Sequence, residues 1–129
     1  MSDDLSEEPV TYAIRITERA QRDIDLATVH FAETASEETA IAWREGLNEW
    51  LGTLATFPRR CPRAPERFKR EVRQGIYRRP GSRVNYRILF SLDNEDADAL
   101  DAPMVVILHI RHSAARPLTR SQILEIENN

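Results

Sequence analysis

The sequence predicts a single α+β domain in the order β-α-α-β-β-β, with a helical hairpin packed on a small antiparallel sheet and a short C-terminal helix. Three observations predict it. An alternating apolar segment over residues 10–16 runs into two apolar stripes of helical spacing, each preceded by a capping hydroxyl. Three more apolar segments, at residues 71–77, 83–92 and 104–110, are separated by turn-forming or acidic stretches. At 129 residues the chain can bury one core, and no internal repeat or low-complexity linker divides it.

Residues 1–9 are expected to be a disordered lead ended by Pro9. Val10, Tyr12, Ile14 and Ile16 then share one face of a strand. Thr17 is placed as an N-cap, and Glu18 suits the positive end of the helix that follows. Ala20, Ile24, Ala27 and Phe31 give that helix its apolar face. Ser36 caps a second helix whose stripe is Ala40, Trp43, Leu47, Trp50, Leu51, Leu54 and Phe57, stopped by Pro58. So short a link folds the two helices into an antiparallel hairpin. Trp43 and Trp50 share one helical face, which marks them for core or interface packing rather than base stacking.

Prolines 58, 62 and 65 enforce an irregular connection, and residues 71–77 form the second strand, ending at the turn Arg78-Arg79-Pro80-Gly81. In the third strand Val84, Tyr86, Ile88, Phe90 and Leu92 face one way, with Asn85, Arg87, Leu89 and Ser91 opposite. An acidic loop over 93–103 leads to the nearly continuous apolar run 104–110, the pattern of a central strand buried on both faces. Thr119 is set to cap a short last helix carrying Ile123, Leu124 and Ile126.

Hydrophobic residues make up 41% and charged residues 30%, the balance of a soluble globular protein. No run approaches the about 20 apolar residues of a membrane helix, and the acidic start MSDDLSEEP is unlike a signal peptide, so a cytoplasmic protein is expected. Cys61 has no CxxC partner, and the three histidines have no clustered carboxylate, so neither a metal nor another cofactor is expected.

The formal charge of -3 conceals segregation. Residues 58–92 carry 11 basic and 2 acidic side chains, whereas residues 1–57 carry 12 acidic and 4 basic ones. The block is almost entirely arginine, with Lys69 the only lysine of the chain. Arginine's planar fork suits carboxylate or phosphate, so the block awaits RNA, DNA, an acidic protein segment or the chain's own acids. A pI near 5.6 argues against a dedicated nucleic-acid binder.

Five segments in this order resemble the RelE/ParE toxin family. They are the opening strand running into Thr17-Glu18-Arg19-Ala20-Gln21-Arg22-Asp23-Ile24, the helix pair ending in Leu54-Ala55-Thr56-Phe57-Pro58, the strand at Tyr77 to Arg79, Tyr86-Arg87-Ile88-Leu89-Phe90, and Val106-Ile107-Leu108-His109-Ile110-Arg111-His112-Ser113. The resemblance covers residues 10–118 and implies the toxin of a type II toxin–antitoxin pair. It also implies a ParD/RelB-like antitoxin partner whose C-terminal segment wraps the toxin. The departures favour ParE-like gyrase inhibitors over ribosome-dependent nucleases. Ser113 and Ala115 stand where the family has glycine and arginine, the arginine falling at 116. The nucleases' lysines before the Tyr-Arg strand and their late tyrosine are absent.

If the chain were instead an mRNA interferase, 2′-hydroxyl attack would need a base, an acid and cationic stabilisation of the phosphate. His112 is the candidate proton shuttle, with Arg87 and Arg83 as the stabilising cations and Arg73 in support. Glu71 is a weaker base. His109, inside an apolar strand, is expected to be structural, and His30 is remote. For His112 the other reading is a strand-end cap or partner contact. Contacts to antitoxin or target are expected from Arg73, Tyr77, Arg78, Arg79, Arg83, Arg87, Arg111 and Arg116. The tryptophan-rich hairpin, through Trp43 and Trp50, is expected to offer a groove.

Overall fold

The computed structural model describes residues 10–96 and 98–128, so the expected lead at 1–9 lies outside the described residues. Strand β1 (Ala13–Ile16) leads through Thr17 into α1 (Glu18–Thr34), and Ser36 opens α2 (Glu37–Gly52). Two single 3-10 turns, Thr53–Ala55 and Pro58–Arg60, precede β2 (Arg73–Tyr77), β3 (Tyr86–Asp93), β4 (Met104–His112) and α3 (Arg120–Glu127). The α+β class and the element order are therefore as the sequence predicts.

The caps form as expected. The Thr17 hydroxyl accepts the Ala20 N–H, the Ser36 hydroxyl accepts the Thr39 N–H, and Thr119 with Gln122 completes a reciprocal capping box.

The sheet order is β1-β4-β3-β2. Strands β2, β3 and β4 are an antiparallel meander, while β1 pairs parallel with β4, Ala13 opposite Met104 and Ile16 opposite Ile107. The sheet is thus mixed, because the hairpin between β1 and the rest lets the first strand return on the far edge of the meander. Leu89 pairs with His109 but Phe90 with Ile107, so Leu108 is the extra residue of a bulge.

Both faces of the sheet are covered. On the helical side Ile24, Trp43, Leu47, Leu51 and Leu54 pack against Tyr77, Tyr86, Ile88, Phe90, Val105 and Ile107. On the other side Val72, Leu89, Val106 and Leu108 are sealed by Leu118 and Ile126. This explains the continuous apolar run of β4, which has no wet face.

Several expected boundaries move. Val10 is 57% exposed and the ladder of β1 begins only at Ala13, since the Tyr12 N–H is given to Ala55 O instead. The apolar stripe of α2 runs on only to Leu54 in the 3-10 turn that follows it, leaving Phe57 66% exposed. Strand β2 starts at Arg73 and β3 at Tyr86, later than the alternation suggests, whereas β4 runs on to His112.

Two glycines let the hairpin sit close to β2. A Cβ on Gly46 would lie 2.1 Å from the Tyr77 hydroxyl, and one on Gly75 would lie 2.2 Å from the Trp50 ring.

Candidate functional site

The end of β2, the start of β3 and the end of β4 meet at one edge of the molecule, Tyr77 opposite Tyr86 and Tyr86 opposite His112. The 78–85 turn closes β2 onto β3, with Gly81 at φ 82° where a side chain would be strained. The Ser113 N–H donates to Asn85 O at 2.9 Å and ties the end of β4 to this turn.

Arg78 and Arg83 are exposed on the turn and Arg79 is half-buried, its guanidinium reaching only Pro80 O at 3.5 Å. Among the described residues none of the three meets a carboxylate. Arg116, also exposed, holds the Arg111 guanidinium through its backbone oxygen at 2.7 Å. His112 is exposed too. Its Nδ1 accepts the Ala114 N–H at 2.9 Å, and its ring lies 5.5 Å from Tyr86, which in turn meets Trp43 edge-on at 5.0 Å. This end of the sheet is cationic, preformed and aromatic underneath.

Arg87 is elsewhere. Tyr86 points into the helical-side core, so its neighbour Arg87 leaves by the opposite face. There Arg87 donates to Gln74 Oε1 at 2.6 Å and pairs with Glu66 at 2.8 Å, both partners of that ion pair being largely buried. Burial alone would raise the Glu66 carboxyl, but the Arg87 hydrogen bond and charge hold it below the ordinary carboxylate range. Arg111 stands opposite Arg87 in register, and burial, then the Arg87 charge, lowers its guanidinium from the ordinary value. Arg87 thus holds Glu66 directly, whereas Arg111 feels the charges of Glu66 and Asp23 without pairing with either and is held by Arg116 O. His112 and Arg87 are not brought together, and no hydrogen bond among the described residues links Arg83 to either.

Arg73 is also occupied internally. It donates to Glu71 at 2.7 Å and to Cys61 O at 2.6 Å, while Arg63 and Arg59 reach the same Glu71 at 3.2 and 3.5 Å. These cations hold Glu71 below the ordinary range against the opposing effect of desolvation. Arg59 continues to Glu95 at 2.6 Å, which also accepts the Tyr12 hydroxyl. Much of the arginine block thus serves the protein's own acids, and among the described residues the cations that meet none include those of the sheet end and a second group at Arg67 and Lys69.

Trp43 is fully enclosed in the core, and Trp50 is half-buried over Gly75 with the Arg60 guanidinium 5.7 Å from its ring centroid. Tyr77 lines a hollow of about 700 Å³ with Glu45, Gly46, Glu49 and Arg79, between α2 and the turn. Burial pushes its phenol up.

His109 is buried, its Nδ1 within 2.8 Å of Asp23 Oδ2 and accepting the Arg19 Nε–H at 3.3 Å, and the same Asp23 oxygen accepts the Ile110 N–H at 2.9 Å. Asp23 thereby caps the β4 edge beyond the point where β1 ends. Sequence reasoning missed both this role and that of Glu66; only strand register reveals them. Cys61 is buried, and burial raises its thiol. Among the described residues no cluster of His, Cys, Asp and Glu could hold a metal ion, and no helix is long and apolar enough to cross a membrane.

No family model matches the chain, and no curated protein matches it. Among solved structures it is similar to a chain described as "Chromosomal ParDE TA system from P. aeruginosa", with a TM-score of 0.54 and 15% identity. The match covers 79% of this chain and 96% of that one, so what the two share is nearly the whole of that chain's fold.

Proposed function

We propose that this chain is the toxin of a type II toxin–antitoxin module, acting in the ParE manner on DNA gyrase in the cytoplasm and neutralised by a cognate ParD/RelB-like antitoxin. The observation that carries the reading is the agreement of sequence order with fold. The five sequence segments run in RelE/ParE order, and the fold they build matches 96% of a ParDE-system chain. The ParE manner is supported by the separation of His112 from Arg87 across the sheet, since a proton shuttle and its phosphate-stabilising cation must converge on one atom. The exposed sheet end with Arg78, Arg79, Arg83 and Arg116 suits contact with a large target.

One observation favours a second reading. Arg87 and Arg111 stand opposite each other in register with Glu66 paired to Arg87 alone, an arrangement that could receive a phosphate if Glu66 were displaced. On that reading the chain is an mRNA interferase and its cations are Arg87 and Arg111 rather than Arg83.

A supercoiling assay with purified gyrase separates the two. Inhibition by this protein, weakened by Arg78→Ala with Arg83→Ala, is the expected result. Unchanged supercoiling together with cleavage of ribosome-bound message, abolished by Arg87→Ala, would replace the first reading with the second.

A further inference from the structure

A groove lies between the 66–70 segment and α3, over the second face of the sheet. Its floor is Ile123 and Leu124, its banks are Arg67, Lys69 and Arg120, and it encloses about 500 Å³. Leu124 is 41% exposed, a large apolar side chain ringed by cations. None of these three cations meets a carboxylate among the described residues.

The groove is preformed. Glu127, at the end of α3, accepts the backbone N–H groups of Lys69 and Arg70, which locks helix to loop and engages the nearest carboxylate. Two further hollows adjoin it, both bordered by Lys69 and Arg70, so it continues past the loop towards Arg63.

We propose that this groove docks an acidic, leucine-bearing segment of a partner protein. The floor gains by covering Leu124 with another apolar side chain, and the banks gain from carboxylates that the described residues do not supply. Nucleic acid fits less well. The floor is aliphatic and offers bases no aromatic platform, Glu66 and Glu71 border the continuing furrow, and the whole chain carries a net charge of -3. The proposal names only the partner's chemistry and does not depend on the gyrase or RNA readings.

The test is a titration of the isotope-labelled full chain, followed by NMR, with a short synthetic peptide of glutamates and two leucines at helical spacing. Polyglutamate and a single-stranded oligoribonucleotide serve as comparison probes. Backbone resonances at 67–70 and 120–127 are expected to move with the leucine peptide. Lys69→Glu with Arg120→Glu should weaken binding by roughly tenfold or more, and added salt should do the same. Leu124→Ser, at an exposed position outside both cores, should reduce the leucine peptide to the level of polyglutamate. Absence of shifts at the highest peptide concentration, shifts confined to residues 78–83, or indifference to Leu124→Ser would each overturn the proposal. Tighter binding of the oligoribonucleotide through the same residues would overturn it in favour of a nucleic-acid site.

Discussion

Gly46 and Tyr77 form a contact that tolerates no added atom. Alanine is the better helix former by about 1 kcal/mol, yet its methyl would sit 2.1 Å from the Tyr77 hydroxyl. Gly46→Ala is therefore expected to destabilise by about 1–3 kcal/mol, as overpacking does, in denaturant unfolding. Tyr77→Phe added to it should recover most of that loss, because the offending atom is gone. Equal stability of the wild type and Gly46→Ala would show that Tyr77 can simply turn aside. Glu66 gives a pH prediction. Its folded value is depressed, so its stabilising contribution is complete above the unfolded carboxylate value of about 4.3 and is lost as pH falls through the folded one. Stability measured from pH 6 downward should fall below that point, and Glu66→Gln should flatten the fall. At this scale the sequence disclosed residue types but not company. His112 and Arg87 are near in register, and a pleat separates them.

Helix α3 was legible as a helix and not as a lid. Its capping hydroxyl and apolar spacing stand in the sequence, but the second core becomes visible only when Ile126 is seen over Leu89, Val106 and Leu108. Ile126→Ala should cost about 2–4 kcal/mol, since the side chain is fully enclosed. Thr119→Ala should cost about 1 kcal/mol through loss of the capping box. If chemical denaturation found the two substitutions equal, α3 would be held by its cap rather than by its packing. The strand ends were the least legible feature, because the alternation of residues 83–92 continues past the point where hydrogen bonding stops. The bulge at Leu108 left no mark in the pattern, because Leu89, Phe90, Ile107 and Leu108 are apolar on both faces and His109 beside them is buried as well.

For the molecule as a whole, the segregation of charge seen in the sequence proves to be partly a clamp. Arg59, Arg63 and Arg73 converge on Glu71, and Arg59 extends the network through Glu95 to Tyr12, tying the N-terminal segment and the 93–103 loop to β2. Glu71→Ala would leave three neighbouring arginines without their shared carboxylate. A loss of about 1–3 kcal/mol is expected, smaller at low pH where the carboxyl is protonated anyway. A Glu71→Gln variant that melted at the wild-type temperature at pH 7 would show that the charge is not what matters. Composition foretold that arginines and acids would meet, and only the topology says which.

The parallel pairing of β1 with β4 also sets an order of events in synthesis. Ala13 leaves the ribosome early, but the strand that must take its hydrogen bonds begins at Met104. Until then the helical hairpin has only the β2–β3 pair to cover, and the apolar face that packs on Val105 and Ile107 stays unsatisfied. Contacts so distant along the chain form slowly and late. The folded domain, with its cationic edge, therefore comes into being only once β4 has been made, and until then the unfinished hairpin offers its apolar faces to any protein that binds such a surface.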